Sequence, residues 1–229
     1  MKKVPCHLAI IIDGNRRWAR KRGLPIFEGH RQGLEKVKKI GEWCRKKGVK
    51  ILTLFAFSTE NWQRPKKEIN YLIKLLANAL CKRNVEKIHK DEIKIRIIGQ
   101  IEKFPKSFQK IAKEAEKLTQ NNKKGILNIA LSYGGRADII ESVKKIIRNK
   151  ISANRINEKL IERNLWTEDE PSPDLIIRTG KEQRISNFLI WQAAYAELYF
   201  SDKYWPDFTE KDLDLAFGEY ARRERRFGQ

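Results

Sequence analysis

The segment HLAIIIDGNRRWARKRG, residues 7–23, sets the fold class and raises the first chemical question. Leu8 to Ile12 is a short, continuous apolar run, which is typical of a strand buried on both faces of a parallel sheet. The run ends at Asp13-Gly14-Asn15, and a cationic stretch that contains Trp18 follows at once. A carboxylate therefore stands between a buried segment and a cluster of positive charge.

Five further segments have the same β-forming character, and amphipathic segments lie between them. The strand candidates are Leu8–Ile12, Ile51–Phe57, Ile93–Ile98, Ile126–Leu131, Leu175–Ile177 and Glu197–Phe200. Helical spacing predicts helices over Gly33–Lys47, Ile69–Leu80, Pro105–Thr119 and Ala137–Asn149, and a capping-box pattern at Thr209–Asp212 opens a last helix through Tyr220. This alternation predicts an α/β fold: a single domain over residues 1–229, with a six-stranded, mainly parallel central sheet flanked by helices.

The net charge of +20 reflects either binding to an anionic partner or a solvated basic surface. Nucleic acid, an anionic membrane surface or a phosphorylated substrate could account for it, and a lysine-rich solvated surface explains much of it. The three cysteines form no CxxC pair and predict reduced thiols in a cytoplasmic protein. No apolar run approaches the roughly 20 residues that span a bilayer, so we expect at most peripheral contact with a membrane.

Polar segments follow four of the predicted strands. They are DGNRRW after the first strand, STENWQRP (58–65), SYGGR (132–136) and RTGKEQRISNF (178–188). Because ligands of open α/β sheets bind at the carboxyl ends of the strands, we expect these segments to form one site. Their Gly, Asn, Ser and Arg residues suit an anion.

Asp13 has two interpretations. It could simply belong to a helix start, with Asp or Asn as the cap and Gly in the turn. Alternatively, backbone N–H groups and the arginines behind it hold a diphosphate, and Mg²⁺ lies between Asp13 and that anion. The other segments also have structural interpretations. STENWQRP could be an ordinary surface loop with an exposed Trp62, and the arginines of RTGKEQRISNF could form surface ion pairs. Glu197 could simply pair with Arg178 or Arg184.

Other site chemistries are absent from the sequence. The three histidines show no zinc-ligand spacing, and neither GxxxxGK[ST] nor GxGxxG occurs.

Several motifs carry a family resemblance. HLAIIIDGNRRWA, FAFSTENWQRP, SYGGR, IRTGKEQRISNFLIWQAAYAELYF, WPDF and RRFG occur in this order. The chain resembles the cis-prenyltransferases, specifically the bacterial undecaprenyl diphosphate synthases, over about residues 4–228. The DDxxD motif of the all-helical trans-prenyltransferases does not occur.

The resemblance implies an activity and its partners. Such enzymes condense isopentenyl diphosphate units onto farnesyl diphosphate with new cis double bonds. The product is a long-chain polyprenyl (undecaprenyl) diphosphate, the lipid carrier precursor for cell-wall polysaccharide. The resemblance also implies Mg²⁺ and a homodimer.

The resemblance further implies roles for individual residues. Asp13 and Asn61 are catalytic, Asn61 by helping proton removal, and Asp13 and Glu197 are metal ligands. Residues matching the allylic diphosphate loop are Gly14, Asn15, Arg16, Arg17, Trp18 and His30. Those matching the substrate-binding loop are Ser58, Thr59, Glu60, Trp62 and Arg64. Those matching the isopentenyl diphosphate site are Arg178, Arg184, Ile185 and Ser186. Arg226-Phe227-Gly228 resembles a tail motif that supports the diphosphate site across a dimer.

Three positions depart from the family pattern. Arg16 stands where Gly is frequent, and we expect its side chain to point outward. Ile26 stands where an Arg often precedes the histidine by four residues, so one phosphate contact differs. Lys181 stands where Gly is usual.

The product tail requires an apolar channel, and we expect the helix Ile69–Leu80 beside the strand Ile51–Phe57 to form its wall. Alternation along that strand places Ala56 on the face opposite both Phe55 and Phe57. We therefore predict that Ala56 lies along the channel; the alternative is a tightly packed core alanine.

Two other functions fit the sequence less well. A basic RNA-binding protein would need an aromatic sheet surface or a helix-turn-helix, and neither pattern occurs, so no specific nucleic-acid partner is expected. A non-catalytic subunit of a two-chain prenyltransferase could lose the metal ligands, whereas this chain keeps Asp13, Asn61, Arg184 and Glu197.

Overall fold

The centre of the structure, a computed structural model that describes residues 4–168 and 170–223, is one twisted sheet. Within these ranges the sheet has six strands in the order β3-β4-β2-β1-β5-β6, and every neighbouring pair is parallel. The strands are β1 (His7–Ile11), β2 (Ile51–Ser58), β3 (Ile93–Ile98), β4 (Gly125–Tyr133), β5 (Leu175–Arg178) and β6 (Glu197–Phe200). The predicted α/β class and the six-stranded parallel sheet are confirmed.

Residues 179–196 join β5 to β6 without a helix. Helices make the other connections between these parallel strands, and one more helix follows β6. They are α1 (Asn15–Lys21), α2 (Ile26–Lys47), α3 (Lys66–Ala79), α4 (Lys82–Lys90), α5 (Lys106–Thr119), α6 (Gly135–Arg148), α7 (Glu158–Asn164) and α8 (Glu210–Arg222). The predicted helices correspond to α2, α3, α5, α6 and α8, although α2 begins at Ile26 rather than Gly33. At the start of α8, Thr209 N–H donates to Asp212 Oδ2 at 2.8 Å, which confirms the capping box.

No helix in the described part of the chain is both long enough and apolar enough to cross a bilayer.

Apolar side chains fill both faces of the sheet. On one face, β1, β2 and β5 pack against α2 and α8 through residues such as Leu8, Ile40 and Leu213. The same face continues over β3 and β4, where it is covered by α3, α4 and α5. On the other face, Phe55 stacks on Phe188, with ring centroids 4.5 Å apart. The two clusters on the first face leave a gap between α2 and α3.

The end of β2 is irregular. Phe55 pairs with Ala130 and Phe57 pairs with Leu131, so Ala56 is an extra residue in a β-bulge. Phe55 and Phe57 consequently belong to core clusters on opposite faces of the sheet. The prediction that strand alternation places Ala56 opposite both phenylalanines is therefore wrong, because the bulge interrupts the alternation.

Candidate active site

A cavity of about 780 Å³ opens at the carboxyl ends of the central strands. Its polar end is formed by residues that follow β1, β2 and β5. Its apolar wall comes from α2 (Leu34, Val37), α3 (Leu72, Leu75, Leu76, Ala79) and the sheet (Leu54, Ala56, Ile129). A cavity of this kind suits a ligand with an anionic head and a long apolar tail.

Asp13 lies at the polar end, directly after β1. Its carboxylate Oδ1 accepts a hydrogen bond from the Gly14 N–H at 2.6 Å. Oδ2 accepts one from Arg178 Nη2 at 2.9 Å and lies 3.1 Å from Arg17 Nη2. The backbone is fixed by Thr179, whose Oγ1 lies 3.0 Å from Asp13 N and donates to Asp13 O at 2.8 Å. The carboxylate is thus held between two guanidinium groups at the edge of the sheet.

Gly14 allows α1 to begin immediately after Asp13. Its φ of +103° lies in a region that favours glycine, and a Cβ there would sit 2.7 Å from Cδ1 of Tyr204. Trp18, one turn later, is directed away from the cavity: its Nε1 donates to Asp207 Oδ1 at 2.7 Å, and Arg22 stacks over its ring. Trp18 therefore anchors α1 from outside the site.

Arg178 is buried at the end of β5 and acts as a scaffold. One Nη group donates to Ser186 Oγ at 2.7 Å and to the Arg184 carbonyl, while the other holds Asp13. The Arg184 side chain is 62% exposed and donates to Glu182 Oε2 at 2.6 Å. That hydrogen bond lowers the pKa of the Glu182 carboxyl, which also accepts from Arg17 at 2.6 Å. Glu182 therefore links the segment after β5 to α1.

The loop after β2 forms a short 3₁₀ turn, Thr59–Gln63. Asn61 Oδ1 accepts from the Ser58 N–H at 3.1 Å, so its amide stabilises the turn while it lines the cavity. Trp62 was predicted to be exposed; this is wrong. Its ring packs against Phe57 and Phe104, and Nε1 donates to Ser132 Oγ at 2.9 Å, because the turn folds back on the core.

A buried carboxylate lies beside the polar end. Glu68 Oε1 is 3.0 Å from His30 Nε2, 3.1 Å from Arg64 Nη1 and 3.7 Å from Arg16 Nε. Burial lowers the pKa of His30 and also that of Arg64. His30 is therefore mainly neutral at pH 7, and with Nε2 protonated it donates to Glu68.

The cavity brings together most of the predicted site residues. Its lining includes Asp13, Gly14, Asn15, Arg16, Arg17, His30, Ser58, Glu60, Asn61, Arg64, Arg178 and Ser186. Six others do not line it: Trp18, Thr59, Trp62, Arg184, Ile185 and Glu197. Their assigned roles stay predictions, and a direct substrate contact by Arg184 would require its exposed side chain to turn away from Glu182.

Glu197 lies far from Asp13 within one chain. It begins β6 and pairs with Leu175, whereas Asp13 follows Ile11, which pairs with Arg178. The two are therefore about five residues apart along the strands, or roughly 16 Å. The Glu197 carboxylate accepts from Arg223 Nη1 at 2.7 Å, rather than from Arg178 or Arg184. One metal ion held by both carboxylates of the same chain does not fit this geometry.

The structure locates the three residues that depart from the family pattern. The expectation that Arg16 points outward is wrong: it lines the cavity and turns towards Glu68. Ile26 is the first residue of α2. Lys181 has a φ of +66°, a left-handed conformation that explains a preference for glycine there. The tail motif Arg226-Phe227-Gly228 lies outside the described residues.

Several site residues were missed from the sequence. Glu68 carried a signal, since it shares a helix face with Leu72 and Leu76 and is a carboxylate on an apolar stripe. Thr179 and Glu182 lie next to predicted residues without a motif of their own. Leu34 and Val37 of α2 were not recognised as part of the apolar wall.

The residues present fit Mg²⁺ in one specific way. Among the described residues no cluster of three or more His, Cys, Asp or Glu side chains could hold a metal. Asp13 offers a carboxylate that is 31% exposed at the cavity. Because Mg²⁺ is commonly held by one or two carboxylates plus substrate phosphates, Asp13 fits a metal that binds together with a diphosphate.

Known proteins resemble this chain over its full length. The family model described as "Putative undecaprenyl diphosphate synthase" matches residues 11–228. A ditrans,polycis-undecaprenyl-diphosphate synthase ((2E,6E)-farnesyl-diphosphate specific) of Pasteurella multocida is 48% identical, covering 98% of this chain and 95% of the relative. An isoprenyl transferase of Neisseria gonorrhoeae is also 48% identical, over 99% of this chain and 90% of the relative.

Solved structures agree with the sequence relatives. Lavandulyl diphosphate synthase from Lavandula x intermedia, solved in complex with dimethylallyl diphosphate, has a TM-score of 0.94 at 38% identity and covers 99% of both chains. A probable undecaprenyl diphosphate synthase from Campylobacter jejuni has a TM-score of 0.82 at 35% identity and covers 100% of both chains. The chain belongs to the undecaprenyl diphosphate synthase family of prenyltransferases.

Proposed function

We propose that this protein is a Mg²⁺-dependent cis-prenyltransferase that condenses isopentenyl diphosphate units onto farnesyl diphosphate to give a polyprenyl diphosphate of undecaprenyl type. The observation that carries the proposal is the amphipathic cavity, which joins an arginine-rich polar end to an apolar interior. The name of the Pasteurella multocida relative specifies farnesyl diphosphate and the undecaprenyl product. We further propose that residues 1–229 work as one catalytic domain.

The polar end would hold the starter diphosphate. Arg17 and Arg64 line it, and charge-assisted hydrogen bonds from guanidinium groups suit phosphate oxygens. Mg²⁺, held by Asp13 and the diphosphate, would supply electrophilic stabilisation of the departing anion. Arg17 beside Asp13 adds preorganised positive charge where negative charge develops.

Chain growth would follow from this arrangement. The allylic C–O bond breaks, and diphosphate leaves with the electron pair. The isopentenyl double bond attacks the cation-like carbon, and loss of one proton restores a double bond. Asn61 lines the cavity beside these groups and is our candidate for assisting proton removal. The segment carrying Arg178, Arg184 and Ser186 would hold isopentenyl diphosphate.

The apolar interior would receive the growing tail. Leu72 and Leu76 of α3 and Leu34 of α2 line this part of the cavity. Burying hydrocarbon there releases about 25 cal/mol per Å² of apolar surface, which would draw the tail inward as it lengthens. Product release would then require contact with an apolar acceptor, so we propose peripheral association with a membrane at that step.

We propose a homodimer built on the exposed side of α6. Ile140, Val143 and Ile147 are 53%, 42% and 67% exposed and follow one helical face, and Tyr195 is 75% exposed. An apolar stripe of this kind on a folded chain favours an interface. Sedimentation of the wild type and of Ile147→Glu tests the proposal; a wild type that sediments as a monomer contradicts it.

The enzymatic proposal is tested by incubating the protein with farnesyl diphosphate, labelled isopentenyl diphosphate and Mg²⁺. We expect label in organic-extractable products, and none after chelation of the metal. Absence of extractable label in the complete reaction would overturn the proposal.

A further inference from the structure

Glu68 stands out because it is 1% exposed and yet lies beside a site built for anions. It belongs to the first turn of α3. One of its oxygens, Oε1, is within 4 Å of cationic or protonatable side chains from three different segments. They are Arg16 of α1 (3.7 Å), His30 of α2 (3.0 Å) and Arg64 from the loop before α3 (3.1 Å).

Two buried polar atoms in this group of side chains lack hydrogen-bond partners in the described part of the chain. Glu68 Oε2 and Arg16 Nε are buried and have no hydrogen-bond partner among the described residues. Buried polar groups without partners are costly, so a carboxylate retained here calls for a reason beyond packing. An apolar residue at position 68 would continue the apolar stripe of Leu72 and Leu76 without that cost.

The negative charge of Glu68 balances the positive charges of two neighbouring arginines. Arg16 and Arg64 line the same polar end and repel each other, and burial disfavours the charged form of Arg64. The Glu68 carboxylate offsets both effects. It therefore holds the two guanidiniums close together before any substrate arrives.

We propose that Glu68 is a positioning residue that holds Arg16 and Arg64 towards the diphosphate of the allylic starter, and so sets the affinity for that substrate. The inference rests on the proposed function. Arg16 and Arg64 lie on the α1–α3 side of the cavity, whereas Arg178 and Ser186 come from the segment after β5. Glu68 should consequently affect the allylic diphosphate and leave isopentenyl diphosphate nearly unchanged.

Whether removal of the Glu68 charge weakens or tightens anion binding distinguishes a positioning role from simple charge repulsion. A negative charge beside an anion site weakens anion binding by Coulomb repulsion alone, so its removal would tighten binding. If Glu68 instead positions the arginines, its removal weakens binding, because both guanidiniums lose their fixed place. Glu68→Gln keeps the shape of the side chain and removes the charge.

The experiment compares wild type, Glu68→Gln, Glu68→Asp and a control, Glu116→Gln. Glu116 is a half-buried carboxylate on α5 that accepts from Ile97 N at 2.8 Å outside the cavity. Steady-state kinetics with each substrate varied give both KM values, and calorimetry with inorganic pyrophosphate measures binding without turnover. Thermal melts show whether each variant is folded.

We expect Glu68→Gln to raise the KM for farnesyl diphosphate and the Kd for pyrophosphate about tenfold, with the KM for isopentenyl diphosphate within about twofold. Glu68→Asp should recover part of the loss, and Glu116→Gln should change neither constant. Tighter or unchanged pyrophosphate binding in a folded Glu68→Gln variant overturns the proposal. An equal rise in both KM values also overturns it.

A double-mutant cycle with Arg16→Ala tests the coupling directly. Because Glu68 acts through Arg16, the loss in Glu68→Gln/Arg16→Ala should be smaller than the product of the two single losses. Independent, multiplicative losses count against the proposal. If Glu68→Gln does not fold, Arg16→Ala alone carries the test: pyrophosphate binding equal to that of wild type overturns it. A wild type that binds pyrophosphate and does not elongate refutes the proposed function while leaving this test intact.

Discussion

Enlarging Ala56 tests whether the cavity receives the product tail. Ala56 lies in the bulge at the end of β2, is half-buried, and lines the cavity together with Leu72 and Leu76 of α3. A leucine at this position would add three carbon atoms at the wall. We predict that Ala56→Leu folds, stays active, and makes products that stop several isoprene units short.

The magnitude of the stability change distinguishes a channel from a packed core. Overpacking a core costs about 1–3 kcal/mol, and each kcal/mol lowers the melting temperature by about 2–4 °C for a chain of this size. A core position thus predicts a decrease of about 2–12 °C with the same products. A leucine that extends into a cavity of about 780 Å³ meets open space, so we expect a shift below about 2 °C.

The assay combines a thermal melt with mass analysis of the extracted products. Ala77→Leu is the matched control, because Ala77 lies on α3 within the apolar cluster and does not line the cavity. It should leave product length unchanged. An unchanged product distribution from a well-folded Ala56→Leu enzyme would refute the channel assignment.

Three further predictions follow from the site and the core. Asp13→Ala should fold and lose roughly 10²-fold or more in turnover, since a metal ligand is removed; near wild-type rates in saturating Mg²⁺ would show that the metal role is wrong. Arg184→Ala should weaken isopentenyl diphosphate by about 1.5–3 kcal/mol with less effect on the allylic substrate, and kinetics that show equal increases in both KM values would argue against separate arginines. Burial lowers the pKa of His7 below 6.5, so the unfolded state binds more protons and stability is lost as pH falls below that value. Denaturant titrations at about pH 7.5 and 5.5 should show a smaller stability difference for His7→Gln than for wild type, and an equal difference would contradict the assignment.

The sheet could be predicted because its strands are buried on both faces. Such strands are continuous apolar runs, and residues 8–12 and 51–57 show this clearly. The long helices were predictable because each carries one apolar face. By contrast, α4 is highly charged and buries only Val85, so no periodic stripe indicated it. The seven-residue helices α1 and α7 are too short for a period to emerge.

Most of the site could be predicted because ligands of open α/β sheets bind at the carboxyl ends of the strands. Asp13 and Asn61 follow β1 and β2, and Arg178 ends β5; parallel strands bring their carboxyl ends to one edge, where the cavity opens. Glu197 lies at the amino end of its strand, and its distance from Asp13 follows from register, which a sequence does not specify.

The directions of several side chains could not be predicted from the sequence. Trp62 packs inward because the turn after β2 folds back, and Arg16 turns inward because Glu68 attracts it. The bulge at Ala56 depends on pairing with β4, a partner distant in sequence. Each of these features depends on tertiary contacts that local patterns do not encode.

The most direct test of the central claim is the geometry of the double bonds that the enzyme makes. Farnesyl diphosphate, isopentenyl diphosphate and Mg²⁺ are incubated with the wild-type protein, and the dephosphorylated products are examined by mass spectrometry and NMR. The account predicts products longer than the starter by whole five-carbon units, with every new double bond cis. Products with new trans double bonds, or recovery of unextended farnesyl diphosphate from a folded enzyme, would contradict it.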